Sequence, residues 1–241
     1  MTVTAIIQAR MSSSRLPEKV LRPLAGRPVL DWVVRAAQQS GDIDNVVVAT
    51  SEDSSDDALA KHCDQAGFAY VRGSLDDVLD RFLVTLDEYP ADTVVRLTAD
   101  CPMLDPALIS HAIASFQAGN VDYLSTVVSR SLPRGLDVEV FSAQALRAVD
   151  LHAQGPHRAH VTSDIYGNPD KYRIAGLVFA PDASDLRITL DTPEDAALLE
   201  AIANIIGDRA PTWRELVSLL RTRADLVALN AEVRQKEISE G

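Results

Sequence analysis

Cysteine is scarce: the 241 residues include two, Cys63 and Cys101. They lie far apart and form no metal-type spacing, so neither a structural zinc module nor a disulfide framework is indicated. A chain of this length buries a full hydrophobic core without such staples. Long apolar runs are also missing. No stretch approaches the roughly 18 consecutive apolar residues of a membrane-spanning helix. The opening MTVTAII has neither the basic start nor the apolar core of a secretion signal. A soluble, cytoplasmic, reduced protein with no membrane partner is the expectation. No Pro- or Gly-rich tract signals disorder, and 46% apolar with 24% charged residues is ordinary globular usage. There is no excess of basic residues. Twenty-three Lys and Arg against 35 Asp and Glu give a net charge of −12, which argues against a nucleic-acid partner. Internal repeats and splitting linkers are absent, so residues 1–241 read as a single domain.

What is present is organised as alternating strands and helices. Val3 to Gln8 (VTAIIQ) is a nearly continuous apolar run, the pattern of a strand buried on both faces. A polar loop follows, and a helix is expected from Pro28 onward. Asn45 to Thr50 repeats the buried-strand pattern, and Ser54 to Ala66 reads as a helix ended by Gly67. Phe68 to Val71 and Asp92 to Leu97 are further strands around a helix at Asp76 to Glu88. Such βα alternation predicts a parallel sheet between two helix layers. In the second half, strands are expected at Asp122 to Thr126, Leu136 to Phe141, Arg173 to Phe179 and Leu186 to Leu190, making a mixed extension of the sheet. Thr192-Pro193-Glu194-Asp195 predicts a capped helix start running to about Ile206, and the tail from Thr212 reads as peripheral helices.

The chemistry concentrates in the loop after the first strand. Arg10, Arg15, Lys19, Arg22 and Arg27 crowd there with only Glu18 of opposite sign, so an anion can bind locally despite the global charge. Ser12, Ser13 and Ser14 offer small side chains and accessible backbone N–H groups for phosphate oxygens. This is neither a GxxxxGK[ST] loop nor a GxGxxG turn; both motifs are absent. Taken alone, Asp100 before Pro102 reads equally as a turn cap, and Asp191 as part of a helix cap. Cys101 reads as a small buried hydrophobe, and His62 and His111 carry no assigned role.

The segment IIQARMSSSRLPEKVLRPLAGRP resembles the opening of the sugar-acid cytidylyltransferases, above all the spore-coat-polysaccharide type. CMP-3-deoxy-manno-octulosonate and CMP-acylneuraminate synthetases are more distant cousins, and phosphonate-activating cytidylyltransferases are similar too. The resemblance continues through VVVATSEDSSDD, VRGSLDDVLDR, VVRLTADCP, GLDVEVFS and RITLDTPED, to about Asp195. It implies a Rossmann-like nucleotidyltransferase fold, three-layer α/β/α with a mostly parallel mixed sheet. Residues 1–105 would form the CTP-binding half, 106–210 the acceptor and metal half and 211–241 peripheral C-terminal helices, with a homodimer formed through the second-half excursion. The implied reaction is transfer of CMP from CTP to a small anionic acceptor, a sugar acid or a phosphonate, with release of pyrophosphate. Arg10, Arg15 and Lys19 match triphosphate-binding cations with catalytic roles, and Gln8 and Ala9 border the cytosine. Thr50, Ser51, Arg72, Gly73 and Asp76 match positions that enclose the nucleoside; Thr98 and Ala99 belong to the same site. Asp100 and Asp191 match the carboxylates that hold Mg2+. Arg134, Glu139, Arg158 and His160 fall on the acceptor side. Two positions depart from the family pattern: Glu18 replaces a glycine of RLPGK, and Ala159 replaces the acid of REH. A nucleotide-sugar glycosyltransferase of related fold and a catalytically silent nucleotide-binding module are the competing readings.

Overall fold

The computed structural model describes residues 1–235. At its centre lies β1 (Val3–Gln8), flanked in parallel by β4 (Asn45–Ser51) and β6 (Thr93–Thr98), with β5 (Ala69–Gly73) parallel beyond β4. The antiparallel β8 (Glu139–Ser142) follows β6, then β7 (Tyr123–Ser125) pairs antiparallel with β8, and β9 (Ile174–Gly176) runs parallel to β7. The order is β5-β4-β1-β6-β8-β7-β9, so β8 alone runs against the others. Because successive strand side chains point to opposite faces, Ala5 and Ile7 enter one core and Ile6 the other. The first core takes α1 (Val29–Gln39), α2 (Asp57–Ala66), α4 (Pro106–Ala118), α8 (Pro193–Ile206) and α9 (Trp213–Thr222). The second takes α3 (Val78–Glu88) and α5 (Ala143–Asp150). This is the three-layer arrangement expected from the sequence.

The start of α8 is built as predicted: Thr192 and Asp195 form a reciprocal capping box with Pro193 in the first turn. Gly67 closes α2 at φ 71°. Three expectations need correction. Residues 186–190 are not a sheet strand; they make one bridge, Arg134 with Arg187, against a loop. Gly135 (φ 108°) permits this approach, since a Cβ there would lie 2.7 Å from the backbone of Ile188. The strand expected from Leu136 starts only at Glu139, because Thr126 and Val138 bond outside the ladder through the Thr126 hydroxyl. The tail is not merely peripheral either: Trp213, Leu216 and Leu220 of α9 are buried in the first core, and the Trp213 N–H is held by Asp105. The part of the expected tail after residue 235 lies outside the described residues.

The chain passes from β1 to β4 on one side and later to β6 on the other. A crevice therefore opens beyond the carboxyl ends of β1 and β6, the switch point where open α/β sheets bind ligands. The loop of residues 9–22 borders it. Loop geometry is set by the N–H groups of Ala9 and Met11, bonded to the Ala49 carbonyl and to Asp56, and by Glu18 N–H on the Met11 carbonyl at 2.9 Å. The hairpin of β2 (Pro23–Leu24) and β3 (Arg27–Pro28) ends the loop and passes directly into α1.

Candidate active site

A cavity of about 820 Å³ occupies the crevice. Gln8, Arg10, Ser12 to Ser14, Arg15 and Lys19 line one side, and Thr98, Ala99, Asp100 and Asp191 the other. The contiguous motif thus becomes one wall, and two residues 91 positions apart in sequence form the facing acidic edge.

Lys19 joins the two walls. Its Nζ donates to Asp100 Oδ2 and Asp191 Oδ1, both at 2.7 Å. Asp191 Oδ2 receives Arg15 at 2.9 Å and Arg187 at 2.7 Å. Burial works against the charge on Asp191, but Lys19 and the two arginines outweigh it and pull the carboxyl down to about 2. Burial likewise opposes the charge on Asp100, yet pairing with Lys19 holds it below the ordinary value. Lys19, despite a desolvation that disfavours its ammonium, is raised above the ordinary lysine value by the two carboxylates. The pair therefore presents anionic oxygens that converge on one cation. Among the described residues no group of three or more His, Cys, Asp or Glu side chains suits a metal ion.

Behind the cavity a second polar chain crosses the sheet. Gln8 Oε1 accepts from Arg96 at 3.3 and 3.0 Å, Arg96 donates to Glu139 Oε1 at 2.5 Å, and the Thr162 hydroxyl donates to Glu139 Oε2 at 2.5 Å. Arginine has only donors, so the Gln8 oxygen must face it and the NH2 is the amide end left for a ligand. Glu139 is buried within its strand.

Other expected residues lie outside the cavity. Ala9 is buried in the first core, and Thr50 and Ser51 are buried on Asp56, which accepts from both hydroxyls and from the Ser51 N–H. Arg72 turns to the Ser51 and Asp53 carbonyls and to Asp57, Gly73 packs on Arg81, and Asp76 is exposed. On the acceptor side, Arg158 is engaged by Asp77 and Asp150. His160 ends α6 (Pro156–Ala159), its N–H on the Pro156 carbonyl. Arg134 lies nearer the acidic edge, where burial and the like charges of Arg130 and Arg187 lower its pKa. Cys101 is buried packing, its thiol pushed well above the ordinary value by burial and by Asp100. Sequence reasoning missed Asp56, Arg96 and Arg187 as site-building groups; each bonds to partners brought in by tertiary structure or hidden in a helix start.

An open, mostly parallel sheet with a cation-lined cavity at its switch point, where Asp100 after β6 pairs with Asp191 from the stretch before α8, is the arrangement of a nucleotidyltransferase, the class its family match gives. More closely, the chain belongs to the cytidylyltransferase family, whose profile matches residues 4–205. It is 38% identical over 233 residues to the spore coat polysaccharide biosynthesis protein SpsF of Bacillus subtilis, covering 91% of this chain and 94% of that one. It is 34% identical over 151 residues to the 3-deoxy-manno-octulosonate cytidylyltransferase of Acidobacterium capsulatum, 62% of this chain and 58% of that protein. The structure of a cytidylyltransferase from Leptospira borgpetersenii superposes with a TM-score of 0.91 at 27% identity, covering 98% of this chain and all of that chain.

Proposed function

We propose that this protein binds CTP with Mg2+ and transfers CMP to a small anionic acceptor, releasing pyrophosphate. The observation that carries the reading is the convergence of Asp100 and Asp191 on the Lys19 ammonium, each at 2.7 Å. The ammonium stands in for a cation at this point. An all-oxygen donor set suits a hard divalent ion, with phosphate oxygens and water completing its shell. When bound, Mg2+ would supply charge neutralisation at the α-phosphate.

The chain's own groups have distinct tasks. Arg10, Arg15 and Lys19, with backbone N–H groups around Ser12 to Ser14, hold the triphosphate and offset charge growing on the pyrophosphate leaving group. Asp100 and Asp191 would hold the divalent ion, and Lys19 and Arg15, now on Asp191, are placed to donate to phosphate oxygens beside it. Thr50 and Ser51, bonded to Asp56, brace the nucleoside side of the loop from outside the cavity, and Arg72, Gly73 and Asp76 do not line it.

The acceptor enters from the side of Arg134, Glu139, Arg158 and His160. The relative that acts on 3-deoxy-manno-octulosonate supports a sugar acid. Ala159, where the family pattern the sequence resembles has an acid, favours a phosphonate as the second reading.

The test is pyrophosphate release from each of the four nucleoside triphosphates with Mg2+, against keto-sugar acids and small phosphonates. Release is expected with CTP and one acceptor class. Asp100→Ala should abolish turnover without loss of fold, and Lys19→Ala should chiefly lower kcat. Full activity of the Asp100 variant would refute the metal assignment; a Lys19 variant altered only in acceptor KM would refute the triphosphate assignment.

A further inference from the structure

Asp195 is fully buried, and its carboxylate accepts more bonds than a helix cap requires. A capping box needs the N-cap N–H, here Thr192 N at 3.1 Å. Asp195 also accepts the Asp191 N–H at 3.0 Å and a fork from Arg187, Nε at 2.9 Å and Nη2 at 3.0 Å. The fifth donor is Asn230 Nδ2 at 2.8 Å, from the segment after α10 (Ala224–Val227). The same Asn230 amide reaches the Arg187 carbonyl at 3.2 Å, and Arg187 Nη1 donates to Gln235 Oε1 at 2.7 Å.

The fork does not stop at Asp195. Arg187 Nη2 is shared with Asp191 Oδ2 at 2.7 Å, which fixes that oxygen and leaves Oδ1 toward Lys19 and Asp100. Arg187 is mostly buried, its side chain 10% exposed, so the guanidinium cannot swing into solvent without stranding the Asp195 charge. Arg15 and Lys19 are cations that a triphosphate can draw away; Arg187 is the one that remains bound to its two carboxylates.

We propose that Arg187, braced by Asp195 and Asn230, is a positioning residue for the Asp191 carboxylate, making the C-terminal segment a working part of the cation site. The inference rests on the divalent-metal reading above. Groups that orient a metal-ligating side chain without touching the ion typically govern affinity by about ten- to a hundredfold.

The test is Mn2+ binding by the full-length wild type, Arg187→Lys and Asn230→Ala, read from the free-ion electron paramagnetic resonance signal with CTP present and corrected for the Mn2+ that the same CTP holds without protein. Lysine keeps the charge but cannot fork across two carboxylates. Arg187→Lys should weaken Mn2+ roughly tenfold or more, and Asn230→Ala about threefold or more. Metal-free CTP binding, a readout that general loosening of the fold would also move, should stay within about twofold of the wild type. Should Arg187→Lys fail to fold, Asn230→Ala decides alone. A folded Asn230 variant with wild-type Mn2+ affinity overturns the inference, as does an equal loss of metal-free CTP binding. Absence of Mn2+ uptake by the wild type with CTP bound would instead overturn the metal reading on which this one stands.

Discussion

Glu18 sits at φ 59°, in the left-handed region that a Cβ makes costly, and its side chain is exposed. The backbone, not the carboxylate, is what the phosphate loop uses here: its N–H meets the Met11 carbonyl and its carbonyl receives the Leu21 N–H. A glycine would adopt this conformation without the Cβ penalty, so the departure from the glycine of RLPGK costs local strain. Glu18→Gly should relieve about 1–2 kcal/mol of strain against about 0.5–1 kcal/mol of added chain entropy in the unfolded state. The net gain raises Tm by roughly 1–3 °C, checked by differential scanning calorimetry. A lower Tm would show that the Glu18 side chain contributes more than its backbone strain costs.

Elements were legible where the sequence carried their whole signal. The cores of β1 and β4 are nearly continuous apolar runs because both sheet faces are covered, β6 is apolar except at Arg96, and the α8 start is written in four adjacent residues. Residues 186–190 show the limit: Leu186, Ile188 and Leu190 alternate and are buried like a strand, but their neighbour is a loop opened by Gly135, which no local pattern announces. The phosphate loop was legible because its cations are contiguous. Arg96 was not, since its partners Gln8 and Glu139 are 88 and 43 residues away. Asp56 lies in an acidic stretch at a helix start, where nothing local marks it out, yet it is buried and ties the tip of β4 to the loop. It accepts from the Met11 N–H at 2.7 Å, the Thr50 hydroxyl at 3.0 Å and the Ser51 N–H at 3.0 Å. An amide has one acceptor oxygen where the carboxylate has two, so Asp56→Asn must strand at least one of these donors. The expected cost is about 1–3 kcal/mol, seen in urea unfolding, together with weaker CTP binding measured calorimetrically. Unchanged stability would mean that Asp56 does not hold the two elements together.

At the scale of the molecule, a chain of net charge −12 concentrates its cations where an anion must bind and holds them there with carboxylates. That arrangement makes stability depend on pH through the site itself. Asp191 is depressed in the folded state to about 2 from an ordinary 3.8, burial opposing and Lys19 and the arginines prevailing. A depressed carboxyl contributes stability that is present above its unfolded value and lost as pH falls through its folded one. The window is thus about pH 4 down to pH 2, and Asp100, also lowered, acts in the same direction. Lys19 has the opposite sign: its contribution is complete below the ordinary 10.5 and fades as pH rises through its raised value. With solvent screening allowed for, the Asp191 share is on the order of 1–2 kcal/mol. Thermal melts of the wild type and Asp191→Asn should therefore differ more at about pH 5 than at about pH 2.5, because acid removes from the wild type the charge that the variant already lacks. A Tm gap that stays constant across that range would mean the cations around Asp191 do not stabilise the folded chain, and that the cluster is assembled for the ligand at no benefit to the fold.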